Sequence, residues 1–376
     1  MRILRPNRQV VPSGTAGGLA EIRAVTRARW CGRGAGMTSA EPSVRYRIGV
    51  DENGLGPRLG PMVVTAVLTR VTEAGWQVAG RAPRGALAQR LGDSKQLVAH
   101  GDVSLGEAWA RALVARGCGR GREKTASGAS SVDELLHAVA LEDRPALRAL
   151  CPSHVEEQCW SAEGEAFTAP DELVCAIGKD LDKLSEKGVE VVAVRSVLLC
   201  AKRMNDGARA GKNRFVLDLH AMERLVLELR GLAGAEVFAV CGKVGGFGKY
   251  GAVFGPLAGR MHAVLEEGRA RSAYRFPGLG EIAFVRDSDA SDLCVAMASM
   301  VGKYVREALM ERVARHYQRA VPGLHGASGY YDPVTSAFIG ATRLVRRARE
   351  IPAECFERGA GESDGESDAS LESGGP

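Results

Sequence analysis

Short apolar runs alternate along this chain with glycine-rich breaks and with longer stretches of helical period. The first run, Arg47-Ile48-Gly49-Val50, reads as a strand and ends in two adjacent acids, Asp51 and Glu52. Gly54, Gly56, Pro57, Gly60 and Pro61 then punctuate the chain before a β-branched run from Val63 to Leu68. Strand, acidic corner, glycine turn and strand predict a hairpin. Gly188 to Val194, Val237 to Val240 and Glu281 to Val285 are strand-like, and Arg214-Phe215-Val216-Leu217-Asp218-Leu219-His220 is expected to be another strand ending in an acid. Helices are expected around Glu172 to Lys187 and through Leu198 to Met204. Another follows Asp218, where Met222, Leu225, Val226, Leu229 and Leu232 recur at helical spacing. A last long helix starts near Leu293. Leu293, Met297, Met300, Val301, Tyr304, Ala308 and Leu309 form its apolar stripe, with Lys303, Arg306 and Glu307 on the polar side. Asp292 or Ser291 caps it. Asp289 lies just before it, where a helix N-terminus favours an ionised carboxylate. An initial hairpin followed by alternating strands and helices is an α/β pattern.

Composition narrows the class. The chain has 376 residues, 45% hydrophobic and 25% charged, which is normal for a globular protein with a sizeable core. A net charge of +5 permits an anionic partner without demanding one. Nine cysteines without paired spacing read as reduced, mostly buried residues of a cytoplasmic protein. No signal-peptide core or transmembrane run is present, so no membrane partner is expected. Residues 1–43 are rich in Arg, Gly and Ser and read as a disordered basic extension, or alternatively as a nucleic-acid arm. Residues 357–376 read as a disordered acidic tail. Folded material is expected from 44 to 356.

The acids carry the candidate chemistry. Two carboxylates at the mouth of a buried strand are costly unless something pairs with them, and a divalent cation is the usual partner. The plainer reading is an acidic turn ending a strand. Three acidic corners, Asp51/Glu52, Asp218 and Asp289, suggest convergence at one site on the sheet's edge, with Asp287 and Asp292 as the alternatives to Asp289. Asp93 or Ser94 caps a short helix, and Ser94 beside Lys95 suits a phosphate, although a plain loop has the same composition. The stretch from Cys241 to Gly251 sets Lys243 and Lys249 among glycines and two aromatics. That suits a nucleic-acid backbone with a stacked base, or equally a flexible hairpin or lid. Cys151, His154 and Cys159 are close enough in sequence for zinc, but no second ligand pair follows. His220 and His262 are taken as structural.

These residues resemble a known family. Val50-Asp51-Glu52-Asn53-Gly54-Leu55-Gly56-Pro57 with Gly60-Pro61 is similar to the opening motif of the type 2 ribonuclease H (ribonuclease HII) family, where Asp-Glu precedes Gly-Arg-Gly. Asp93-Ser94-Lys95-Gln96-Leu97 resembles its Asp-Ser-Lys-x-Leu segment, Leu217-Asp218 its third acid and Asp289 its fourth. Ala298 to Arg306 is similar to its Ala-Ser-Ile-x-Ala-Lys-x-x-Arg helix, and Gly329-Tyr330 to its Gly-Tyr. Leu55 stands where the family has arginine, and Ser328 where it has lysine. The gap between Asp218 and Asp289 is also longer. The resemblance implies a ribonuclease H-like mixed sheet flanked by helices, with an insertion around 220–280. It implies that Asp51, Glu52, Asp218 and Asp289 are catalytic and hold two Mg²⁺ or Mn²⁺ ions. Asp51 and Asp218 would be the central ligands, and Glu52 and Asp289 the flanking ones. Gly54, Leu55, Gly56, Ser94, Lys95, Lys303 and Tyr330 would contact substrate. The implied reaction cleaves the RNA strand of an RNA–DNA hybrid, or a ribonucleotide embedded in DNA, leaving 5′-phosphate and 3′-hydroxyl ends. A monomer is expected. Two other readings stay open: a nuclease of the same fold acting on structured DNA, and a nucleic-acid-binding protein without catalysis.

Overall fold

A computed structural model describes residues 44–359 apart from 99, 100, 122–127, 150, 152 and 246, and it leaves the side chains of 96 and 153–156 undescribed. The expected extension 1–43, the tail beyond residue 359 and the His154 side chain lie outside the described residues.

β1 (Arg45–Asn53) and β2 (Met62–Val71) form the expected hairpin, in register from Arg45 opposite Val71 to Asn53 opposite Val63. Gly54 at φ 84° and Gly60 at φ 77° occupy left-handed positions that disfavour a side chain. β3 (Val189–Leu199) pairs antiparallel with β2. On the other edge of β1, β4 (Val237–Gly242) runs parallel to it, and β7 (Gly280–Val285) runs parallel to β4. β6 (Arg271–Phe276) and β5 (Ala263–Glu267) complete the sheet as antiparallel strands, in the order β3-β2-β1-β4-β7-β6-β5. The carboxyl ends of β1, β4 and β7 therefore lie side by side, where α/β sheets open a crevice.

Between β2 and β3 run α1 (Glu73–Ala79), α2 (Ser94–Leu97), α3 (Ser104–Ala115), α4 (Val132–Val139), α5 (Arg144–Arg148), α6 (Ser153–Trp160) and α7 (Asp171–Glu186). α8 (Ala201–Arg209) and α9 (Arg214–Ala233) follow β3, and α10 (Leu293–Gln318) follows β7. α11 (Pro333–Ala341), α12 (Arg343–Ala348) and α13 (Ala353–Phe356) close the described chain. The chain is thus a mixed sheet flanked by helices, as expected. Side chains alternate along β1. Ile48 and Val50 enter a core with Leu219, Met222, Leu225 and Val226 of α9. Gly49 abuts α10, where a Cβ would lie 2.2 Å from the backbone of Cys294 and Val295. That missing side chain lets α10 pack directly against the strands.

Three expectations are corrected. Arg214 to His220 is the start of α9 rather than a strand. The Asn213 side chain accepts the N–H groups of Phe215 (3.1 Å) and Val216 (3.0 Å), and the apolar positions then continue at helical spacing against β1 and β2. The helix expected from Leu198 starts at Ala201, because Leu198 and Leu199 are still paired with Val63 and Met62. Finally, α10 has no fully polar side over its middle turns: Arg306 is 1% exposed and Glu307 9%. α10 lies between the sheet and other helices, so its charges had to be paired rather than solvated.

Candidate active site

Asp51 and Glu52 end β1 on opposite faces of the sheet. Asp51 is turned toward α10, where Ser299 favours its charged form, while Glu52 feels Asp218 of α9. Asn53 Nδ2 reaches Asp51 Oδ2 at 3.4 Å. Gly242, the last residue of β4, leaves a notch here: a Cβ would lie 3.1 Å from Glu52 Oε2 and 3.7 Å from Asp51 Oδ1. Asp289 follows the end of β7. Its charge acts on both Asp51 and Glu52. Asp292 caps α10 through Cys294 N–H (2.9 Å) and Val295 N–H (3.1 Å) and pairs with Arg47. Asp287 is exposed beside Arg286.

Electrostatics mark the convergence. Burial, then Glu52 and Asp289, push the Asp51 carboxyl well above the usual carboxylate range, against the Ser299 hydroxyl and Lys95. Burial and Asp218 push Glu52 up to about 8. Burial and Asp51 raise Asp218, and burial and Asp93 raise Asp289. Burial alone would lower the Lys95 ammonium, but Asp289, Glu52 and Asp51 together outweigh it and raise it. Asp51, Glu52, Asp289 and Lys95 thus act on one another, and Asp218 joins them through Asp51 and Glu52.

Asp218 is the extreme member. It is fully buried, and neither carboxylate oxygen has a hydrogen-bond partner among the described residues. Such a group needs a proton or a cation. Hard carboxylate oxygens suit Mg²⁺ or Mn²⁺, and the Gly242 notch leaves room beside them. The donor set fits a divalent ion, although not as a closed cage. No three His, Cys, Asp or Glu side chains among the described residues are already gathered tightly enough to hold one. Asp51, Glu52, Asp218 and Asp289 are the residues that would hold such an ion.

Ser94 is buried, with Oγ 2.9 Å from Ser299 Oγ, while Asp93 caps α2 through Lys95 N–H at 2.9 Å. Gly54 is buried, Leu55 is half-buried and Gly56 is exposed. Lys303 Nζ lies 2.9 Å from Glu307 on α10. Tyr330 is 42% exposed and has the Arg306 guanidinium 4.9 Å from its ring centre. Lys243 Nζ donates to Gly268 O (2.8 Å) and Ser272 Oγ (3.0 Å), and Lys249 projects into solvent beside Glu267. These two lysines line a separate cleft with Arg269 and Arg286. Sequence reasoning missed Gly242, and it missed the arginines that approach the Gly54 turn. Gly242 ends a recognisable strand, which was a usable signal. Arg358 stands in a stretch that reads as tail, which gave none.

No family model and no curated protein sequence matches the chain. Solved structures do. Ribonuclease HII from Archaeoglobus fulgidus, in a structure of its complex with PCNA, is 14% identical, with 84% of this chain and 95% of that one covered and a TM-score of 0.37. Bst-RNase HIII in complex with Mn²⁺ is 16% identical, covering 84% of this chain and 66% of that one, TM-score 0.37. Aquifex aeolicus RNase H3 is 13% identical, covering 83% and 71%, TM-score 0.36. No described helix is long and apolar enough to cross a membrane.

Proposed function

We propose that this chain is a divergent type 2 ribonuclease H: a divalent-metal-dependent endonuclease that cuts the RNA strand of RNA–DNA hybrids, or ribonucleotides embedded in DNA, leaving 5′-phosphate and 3′-hydroxyl ends. The observation that carries the reading is Asp218. A buried carboxylate with two orphaned oxygens, facing other acids at the carboxyl ends of parallel strands, has a clear use as a metal ligand and is only costly otherwise.

Bound divalent ions would polarise the scissile phosphodiester and acidify the attacking water. The protein's own part is positional. Asp51 and Asp218 form the centre of the site, with Glu52 and Asp289 flanking them. Lys95 keeps its proton beside the acids and offers a cation to a phosphate oxygen. Asn53 helps hold Asp51 in place, and Ser299 favours its charged form. Gly54 and Gly56 let a strand approach the main chain closely.

The test uses three labelled duplexes with Mn²⁺ or Mg²⁺: an RNA–DNA hybrid, DNA with one ribonucleotide, and all-DNA. Cleavage confined to the two ribose-containing duplexes, and absent from Asp218→Asn, is expected. Equal cleavage of all three would replace this reading with a nuclease for structured DNA. No cleavage by the parent protein would leave a binding protein.

A further inference from the structure

The glycine turn that follows the acids carries guanidinium groups without a matching number of carboxylates. The segment after α13 runs back along residues 58–60. Leu59 bridges to Glu357, Arg358 N–H donates to Arg58 O at 2.9 Å, and Arg58 pairs with Glu357 at 2.6 Å. Asn205 clamps the same segment, donating to the Glu354 and Glu357 carbonyls at 2.9 Å and accepting Gly359 N–H at 2.7 Å. Arg358 is fixed as a result. It donates to Gly54 O at 2.6 Å and to Gly60 O at 2.9 and 2.7 Å, and to no carboxylate among the described residues. Three of its five N–H groups are thereby used, leaving two on the terminal nitrogens.

Arg306 stands behind this turn, its Nε 2.9 Å from where a Gly54 Cβ would be. Arg214 opens α9, one turn and about 6 Å before Asp218 on the same helix face. It has no ion pair among the described residues, and its contact is the Phe215 ring at 5.2 Å. Arg358 and Arg214 line a single groove with Leu55, Pro57, Asn213 and Tyr331. Burial, and then the Arg306 charge, press Arg358 down to about 9, with Arg214 adding to the effect. These like charges repel, and an anion would relieve them.

We propose that this groove binds a backbone phosphate of the nucleic-acid strand next to the cleavage site, with Arg358 and Arg214 as the phosphate-contacting cations. The inference rests on the nuclease reading above and supplies a cation where Leu55 provides none. Guanidinium forks suit phosphate oxygens, and the exposed Tyr331 ring gives an adjacent base or sugar a surface. Arg358 is separated from Gly54 by 304 positions, so no local motif announces it.

Fluorescence anisotropy of a labelled RNA–DNA hybrid in EDTA, over a salt series, reads binding without cleavage. Arg214→Ala is expected to weaken binding about tenfold and to reduce the salt slope by about one. Arg358→Lys keeps the charge but not the fork, so about fivefold weaker binding at an unchanged slope is expected. The Arg214 side chain makes no hydrogen bond or ion pair among the described residues, so a thermal transition at the parent temperature is expected for Arg214→Ala. Parent-like affinity and slope in both variants would overturn the proposal, as would a parent protein that binds no hybrid. Weakened binding by the variants of a parent that cuts nothing with Mn²⁺ would keep the groove and remove the nuclease. Cleavage by the parent with parent-like binding by both variants would do the reverse.

Discussion

Two buried carboxylates near one end of the sheet have opposite surroundings. Glu307 on α10 is 9% exposed. It pairs with Lys303 at 2.9 Å and with Arg306, and these cations overcome burial and lower its carboxyl below the ordinary value. Asp218 on α9 is fully buried with no such partner, and burial plus Asp51 raise it. Glu223, five positions further along α9, is intermediate. It accepts N–H groups from Leu257 (2.8 Å) and Gly255 (3.1 Å) but pairs with no cation among the described residues, and burial lifts it to about 7. All three are buried, Asp218 most deeply, and their partners differ as well. A paired buried acid cannot be removed without stranding its partner's charge, whereas an unpaired one weakens the fold and is best explained by something it binds.

Substitutions can sharpen this contrast. The largest effect is expected at Asp218. Asp218→Asn should reduce cleavage of the RNA–DNA hybrid by at least about 10³-fold, several kcal/mol of transition-state stabilisation, while its thermal transition rises because a buried repulsion is gone. A fall in the transition temperature would mean that Asp218 is structural like Glu307. Glu307→Ala should do the opposite to the fold. It leaves Arg306 buried and unpaired, and urea unfolding should show a loss of about 3–5 kcal/mol. Little change would show that Arg306 is solvated after all.

Glu223 gives a smaller, pH-dependent effect. Its folded value lies above the unfolded one, so its stabilising contribution is complete below about pH 4.5. It falls as the pH rises toward about 7, by at most roughly 3 kcal/mol. Urea midpoints between pH 4 and 8 should drop across that window in the parent, and the drop should flatten in Glu223→Gln. An identical slope in both proteins would assign the dependence to other groups. The smallest effect belongs to an exposed pair. Arg70 and Glu190 lie 2.6 Å apart but are 51% and 50% exposed, so Arg70→Ala should cost under about 1 kcal/mol in the same assay. A larger loss would show that partnership matters even where water competes.

Several features of this protein were legible in the sequence alone. The β1–β2 hairpin followed from two apolar runs around a glycine turn, and α10 from its apolar stripe and the Asp292 cap. Asp289 was one of three candidate acids in its segment and was set apart by the family resemblance; in the structure its charge acts on Asp51 and Glu52. Periods, caps and turn residues are encoded within a few neighbouring positions, so they can be read locally. The segment around Asp218 resisted that reading. A β-branched and aromatic run resembles a strand, yet Asn213 capped it and its apolar face was needed against β1 and β2. Only the tertiary structure settled that Asp218 lies on a helix with orphaned oxygens, that Arg306 is buried, and that Arg358 closes on Gly54. Desolvation and close approach depend on which distant segments exclude water from one another, and no short window of sequence contains both of those segments.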